Sequence, residues 1–149
     1  MILINHNLYK KNFGWGQFNM LVWNENCIIG IDLIDAQHKH LFEICNQAYT
    51  LLKSDLKIDK YNDITLIIED LRNYTKFHFK SEEDYMLSIN YPGYEDQKKE
   101  HNDFVKELDS INLTNIDKDH QNQLEDLFGF IFTWILDHIL KEDKLIMSS

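Results

Sequence analysis

The sequence predicts an all-α chain, folded as an antiparallel up-down-up-down four-helix bundle behind an N-terminal extended arm. Three observations predict it. Apolar residues recur at three- and four-residue steps over four long stretches, the connections between those stretches are short, and helix breakers are scarce, with one proline and five glycines in 149 residues. A chain of this length is one domain's worth and can bury a core without disulfide or metal staples.

Residues 1–19 read as an irregular arm with Gly14 and Gly16 near its end, and residues 20–149 as the helical domain. Met20 to Ile34 carries apolar residues without clean periodicity and is expected to pack across the bundle as an extended segment. Asp35 is the expected N-cap of the first helix, whose inward stripe is His38, Leu41, Phe42, Cys45, Ala48, Tyr49 and Leu52. Ser54 to Asp59 is a loop candidate. The second helix is expected from about Lys60 to Met86, with Ile64, Ile67, Leu71, Tyr74, His78 and Tyr85 inward; Asn90, Tyr91, Pro92 and Gly93 then form a turn. The third, from about Glu95 to Ile111, turns Gln97, His101, Phe104 and Leu108 inward. The fourth runs from about Gln121 past Asp143 and buries Leu124, Leu127, Phe128, Ile131, Trp134, Ile135 and His138.

A formal charge of −10 argues against nucleic acid and anionic membrane surfaces, both of which repel it. The longest apolar stretch, Leu127 to Leu140, is interrupted by Asp137 and His138 and is too short to span a bilayer, which needs about 20 apolar residues. No signal peptide is evident, and Cys27 and Cys45 are too few for a disulfide framework, so a reducing cytoplasm is the expected location. Cys45 falls on an apolar helix face and reads as a small core residue.

Burying a polar group without a partner costs a few kcal/mol, so an inward stripe should be apolar. Each helix breaks that rule with a residue able to bind metal: His38 on the first, His78 and Glu82 on the second, His101 on the third, His138 with Asp143 after it on the fourth. His78 and Glu82 stand at i, i+4 and share one face. His138 and Asp143 are five apart, about 140° round an ideal helix. They converge only on a distorted or ending turn, and Glu142 competes for the place on geometry alone. Any one inward histidine is more simply a hydrogen-bonded core residue; four, one per helix, with compatible carboxylates, are hard to explain separately. Imidazole and carboxylate together suit iron, zinc or manganese, and carboxylates able to bridge point to two ions. His6, His40 and His120 are expected to face solvent.

These residues resemble the hemerythrin family, and its bacterial members in particular. The resemblance rests on Trp23 followed by Gly30, Ile31 and Asp32; on the run from Ile34 to Lys39 with Leu41 and Phe42; on His78 to Glu83; on His101 with Phe104; and on Trp134 to Ile139 with Asp143. It covers roughly Met20 to the C-terminus, with order and spacing agreeing. It implies two non-haem iron ions with an oxo or hydroxo bridge, Glu82 and Asp143 bridging them. His38 and His78 would hold the iron that keeps an open position for dioxygen, and His101 and His138 the other. It also implies Asp143 rather than Glu142.

One family ligand is missing. Where the family has histidine four residues before the one matching His101, this chain has Gln97. Gln97 is expected to act as a weak amide-oxygen ligand or to hold a water, loosening the second iron and shifting its potential. Ile139, Trp134 and Phe42 are expected to shield the site.

The resemblance thus implies an oxygen-binding protein for storage, delivery, scavenging or sensing, and not an enzyme, with any redox or oxygen-consuming protein partner unspecified. The alternatives are a di-iron protein with peroxide or nitric-oxide reactivity, and a metal-sensing or interaction module without reversible oxygen binding. A reversible carrier needs one open position and a saturated partner iron, so the exchange at Gln97 bears on the choice.

Overall fold

A computed structural model describes residues 19–54, 60–115 and 121–148. Within them the chain forms α1 (Asp32–Lys53), α2 (Tyr61–Ser88), α3 (Tyr94–Ser110) and α4 (Gln121–His138). The last runs directly into a five-residue π-helical turn, Ile139–Asp143, and a short helix α5 (Lys144–Met147). There is no strand among the described residues. Helix α1 packs against α2 and α4, and α2 against α3. Side chains close the ring between α3 and α4, where Phe104 stacks on Trp134 with ring centres 3.8 Å apart. This is the four-helix bundle that the periodicity predicts. No described helix is long and apolar enough to cross a membrane. The arm, apart from Asn19, lies outside the described residues, as do His6 and His120.

The core follows the inward stripes closely. Leu41, Phe42, Cys45, Ala48 and Leu52 are buried from α1, Ile64, Ile67 and Leu71 from α2, Phe104 and Leu108 from α3, and Leu127, Phe128, Ile131 and Ile135 from α4. Tyr49, Tyr74, Leu124 and Trp134 sit at the margin, half-buried against that core. Tyr85 is also half-buried, and its neighbour Met86 takes the interior place. A tyrosine at a boundary keeps its hydroxyl wet, which methionine does not need.

The entry to α1 differs from expectation. The helix starts at Asp32, and its N-cap position, Ile31, supplies no side-chain cap. Asp35 lies inside the first turn and turns back on the incoming chain: its Oδ1 accepts from Ile29 N–H at 2.9 Å and its Oδ2 from Gly30 N–H at 3.0 Å. Gly30 has φ +91°, which is why glycine stands there. The segment before it has no regular structure except for a 3-10 turn over Glu25–Cys27, flanked by extended Asn24 and Ile28. It is held to α1 by Asn46, whose side chain accepts from Leu21 N–H at 2.8 Å and donates to Leu21 O at 2.9 Å.

The turn between α2 and α3 uses Asn90 in the left-handed region, φ +52°. The Tyr91 ring lies so close over Gly93 that a Cβ there would fall 2.6 Å from it. At its other end α3 is capped by Arg72, the chain's single arginine. Its Nε donates to Leu108 O at 2.8 Å and its Nη2 to Ile111 O at 2.6 Å, satisfying carbonyls that a helix end leaves without partners.

Arg72→Ala should therefore destabilise the bundle by about 2 kcal/mol through two lost charge-assisted bonds. That is a fall in thermal midpoint of roughly 5–8 °C for a chain of this size. Arg72→Lys should recover only part of it, because one ammonium cannot reproduce the fork. An unchanged midpoint in Arg72→Ala would show that the cap contributes nothing.

Candidate metal centre

All six residues expected at the centre are buried, none more than 6% exposed. They converge. One oxygen or nitrogen from each of His38, His78, Glu82 and Asp143 falls within 4.8 Å of the others, and so does a second group of Glu82, His101, His138 and Asp143. The two carboxylates belong to both groups. Helices α1, α2 and α3 contribute through ordinary helical spacing, while α4 needs a special device. After His138 the backbone widens into the π turn, and Lys144 N–H bonds to Ile139 O five residues back. The wider turn brings a residue at i+5 onto the face that i+4 would occupy. Asp143 is thereby fully buried and faces the centre, while Glu142 is half-buried. Gln97 Nε2 donates to the Glu142 carbonyl at 3.0 Å, tying α3 to the widened turn.

The distances divide the centre into halves. Glu82 Oε1 lies 3.0 Å from His38 Nε2 and 2.9 Å from His78 Nε2, whereas Glu82 Oε2 lies 3.2 Å from His101 Nε2. Asp143 repeats the division, with Oδ2 3.1 Å from His38 Nε2 and Oδ1 3.2 Å from His138 Nε2. Each carboxylate thus turns one oxygen to each half. Although these contacts are short, Glu82 Oε2 and both Asp143 oxygens are buried without a hydrogen-bond partner. His101 Nε2 and His138 Nε2 face each other at 3.0 Å. Acceptors crowded in this way need positive charge among them. Four imidazole nitrogens and two shared carboxylates are a donor set that fits a pair of iron, manganese or zinc ions.

The outward nitrogens are held by residues that the sequence reading left without a role. His78 Nδ1 donates to Gln37 Oε1 at 2.8 Å, His101 Nδ1 to Glu83 Oε1 at 3.1 Å, and His138 Nδ1 to Glu100 Oε2 at 3.2 Å. An ionised carboxylate only accepts, so it keeps a proton on Nδ1 and turns Nε2 inward as the lone-pair side. Gln37, Glu83 and Glu100 each adjoin in sequence a residue that faces the centre, and each serves the histidine of the next helix. That adjacency was the available signal. Only His38 lacks such support, its Nδ1 being buried without a partner.

Charge follows from the same geometry. Burial disfavours the protonated form of His38, but the carboxylates of Asp143 and Glu82 outweigh it and raise its pKa to about 9. His138 behaves alike: burial opposes its charge, and Asp143, Glu100 and Glu82 lift it to about 10. Burial also works against the Glu82 carboxylate, yet the imidazoles around it, His78 foremost, hold it well below the ordinary range. Without metal, protons therefore occupy the centre at neutral pH.

Aromatic rings wall one half. Phe79 stacks on His101 at 3.8 Å and Trp134 on His138 at 4.6 Å. Ile139 and Phe42, also expected as shields, are buried beside His138 and one turn beyond His38. His40 faces solvent, as expected, with its Nδ1 3.0 Å from Glu43 Oε2. Cys45 is buried in the core.

Comparison with known proteins agrees with this geometry. Residues 29–148 match the family described as the hemerythrin HHE cation binding domain. A bacteriohemerythrin of Clostridium acetobutylicum is 43% identical over 125 residues, covering 84% of this chain and 97% of that protein. A bacteriohemerythrin of Stenotrophomonas maltophilia is 28% identical, over 84% of this chain and 78% of its own length. A hemerythrin-like protein of Naegleria gruberi is 26% identical, over 81% and 86%. With most of its length matched and two buried histidine–carboxylate groups sharing Glu82 and Asp143, the chain belongs to the hemerythrin family.

Proposed function

We propose that this chain is a non-haem di-iron protein that binds dioxygen, with His38, His78, Glu82, His101, His138 and Asp143 as its iron ligands. The observation that carries the reading is the division of each carboxylate between the two halves, since a bridging ligand must offer one oxygen to each ion. His38 and His78 would hold one ion, His101 and His138 the other, and Glu82 and Asp143 would be shared by both. The iron pair, when bound, supplies the electrons for reversible binding of dioxygen. The chain's own part is to hold the donors rigid, exclude water and restrict protons; the burial of all six side chains, with Phe79 and Trp134 stacked over the His101 and His138 half, favours binding over turnover. The free, buried cysteines are in keeping with a cytoplasmic location.

Gln97 belongs to the reading as a weak oxygen ligand or water-holder at the His101 and His138 half. Its amide nitrogen is anchored on Glu142 O, and its Oε1 is buried without a partner, the end left to meet an ion or water. The same observation favours a second reading. A poorly held position beside Gln97 would expose that ion to peroxide or nitric oxide and make the protein reactive.

An optical spectrum of anaerobically iron-loaded protein separates the two. A visible charge-transfer band that rises in air and falls when oxygen is removed supports oxygen binding, whereas irreversible oxidation at first exposure supports the reactive form. Gln97→His should tighten the adjacent ion and slow autoxidation; no change in either would remove Gln97 from the centre. Glu82→Ala should leave at most one weakly held ion, and a normal metal content in that variant would disprove the bridge. Because His38 and His138 hold protons up to about pH 9 and 10, metal uptake at pH 7 should release about two protons. Apparent affinity should then rise with pH and level off above that range. Calorimetry in buffers of different ionisation enthalpy measures the release, and none at pH 7 would contradict the proton-filled centre.

A further inference from the structure

We propose that Glu83 and Glu100 are positioning residues that make the His101 and His138 half the stronger cation site, offsetting the exchange at Gln97 and directing the first ion there. The proposal rests on the two-ion reading above.

Gln97 aside, the two halves are equal in direct donors. Each has two imidazole nitrogens and one oxygen of each shared carboxylate. The loss of an imidazole at Gln97, taken alone, would make the His101 and His138 half no better than its neighbour. What differs lies behind the imidazoles. Both ligands of that half donate Nδ1–H to a carboxylate, Glu83 at 3.1 Å and Glu100 at 3.2 Å. Behind His78 stands the neutral amide of Gln37, and no group among the described residues accepts from His38 Nδ1.

An anion accepting the Nδ1 proton draws that proton toward itself and leaves more electron density on Nε2, a better donor to a cation. It also places a negative charge near the ion without filling a coordination position, and a trivalent ion gains more from that charge than a divalent one. Among the described residues, one half therefore has two supporting anions and the other none. The two should differ in strength, because Glu83 is 14% exposed and Glu100 48%. Solvent screens the second charge more than the first.

The test uses the full chain and Mn2+ as probe. Metal-free protein is crystallised with one equivalent, and the ion is located by anomalous scattering. In the wild type it should lie between His101 and His138. Glu83→Gln and Glu100→Gln keep an acceptor of the same size and remove only the charge. Titration should show one of the two binding constants falling 10–100-fold in Glu83→Gln and less in Glu100→Gln, with the other nearly unchanged. In the double variant the first equivalent should move to His38 and His78. Gln37→Glu, which places an anion behind His78, should strengthen that half, a gain that a merely structural role does not produce. A first ion at His38 and His78 in the wild type, or both constants unchanged or falling together in Glu83→Gln and Glu100→Gln, would overturn the proposal. Failure of the wild type to take up a second ion at any Mn2+ or Fe2+ concentration would instead remove the two-ion reading beneath it.

Discussion

Burial of two carboxylates and four imidazoles in one volume, in two groups of four that share both carboxylates and whose inward atoms lie within 4.8 Å of one another, is the constraint that the rest of the bundle meets. Such a group is stable only with positive charge inside it. Protons can supply the charge, which is why His38 and His138 hold theirs far above the ordinary histidine range despite burial. Metal cations supply it better, because each satisfies several acceptors at once and a proton joins only two. The core beside it is built from large apolar residues, Phe104, Leu108 and Leu71 among them, which gives the donors a firm wall.

Three of the four helices share a repeated device. A residue facing the centre is followed or preceded in sequence by one that reaches sideways to the histidine on the next helix. Gln37 supports His78, Glu83 supports His101, and Glu100 supports His138. Adjacent residues on a helix point about 100° apart, so one can face the axis while the other faces the seam with a neighbour. The centre is thus tied to the helix interfaces themselves, and a shift of one helix would disturb a ligand it does not carry.

Much of this was legible in the sequence. Helical periodicity exposed the bundle and its inward stripes, because burial is decided mostly by face. The six inward polar residues stood out because they break an apolar pattern. The start of α1 was not legible, since Asp35 looks like a cap and instead serves the amides of Ile29 and Gly30. The π turn was also hidden. Nothing in Ile139 to Asp143 spells it, and an ideal helix leaves Asp143 and Glu142 in competition until the wider turn is seen. The parts played by Gln37, Glu83 and Glu100 were not legible, because polar residues at a helix margin usually meet only water. Their roles depend on the neighbouring helix, which periodicity along one helix does not reveal.

The bundle is ordinary in its packing, and its centre is unusual only in what it buries. Its two halves share Glu82 and Asp143, so removing either carboxylate should affect both. The iron content of the full chain, measured by elemental analysis after anaerobic loading and removal of loose metal, tests the central claim most directly. Two iron ions per chain are expected. One ion or none would contradict it, because the divided carboxylates would then have nothing to bridge.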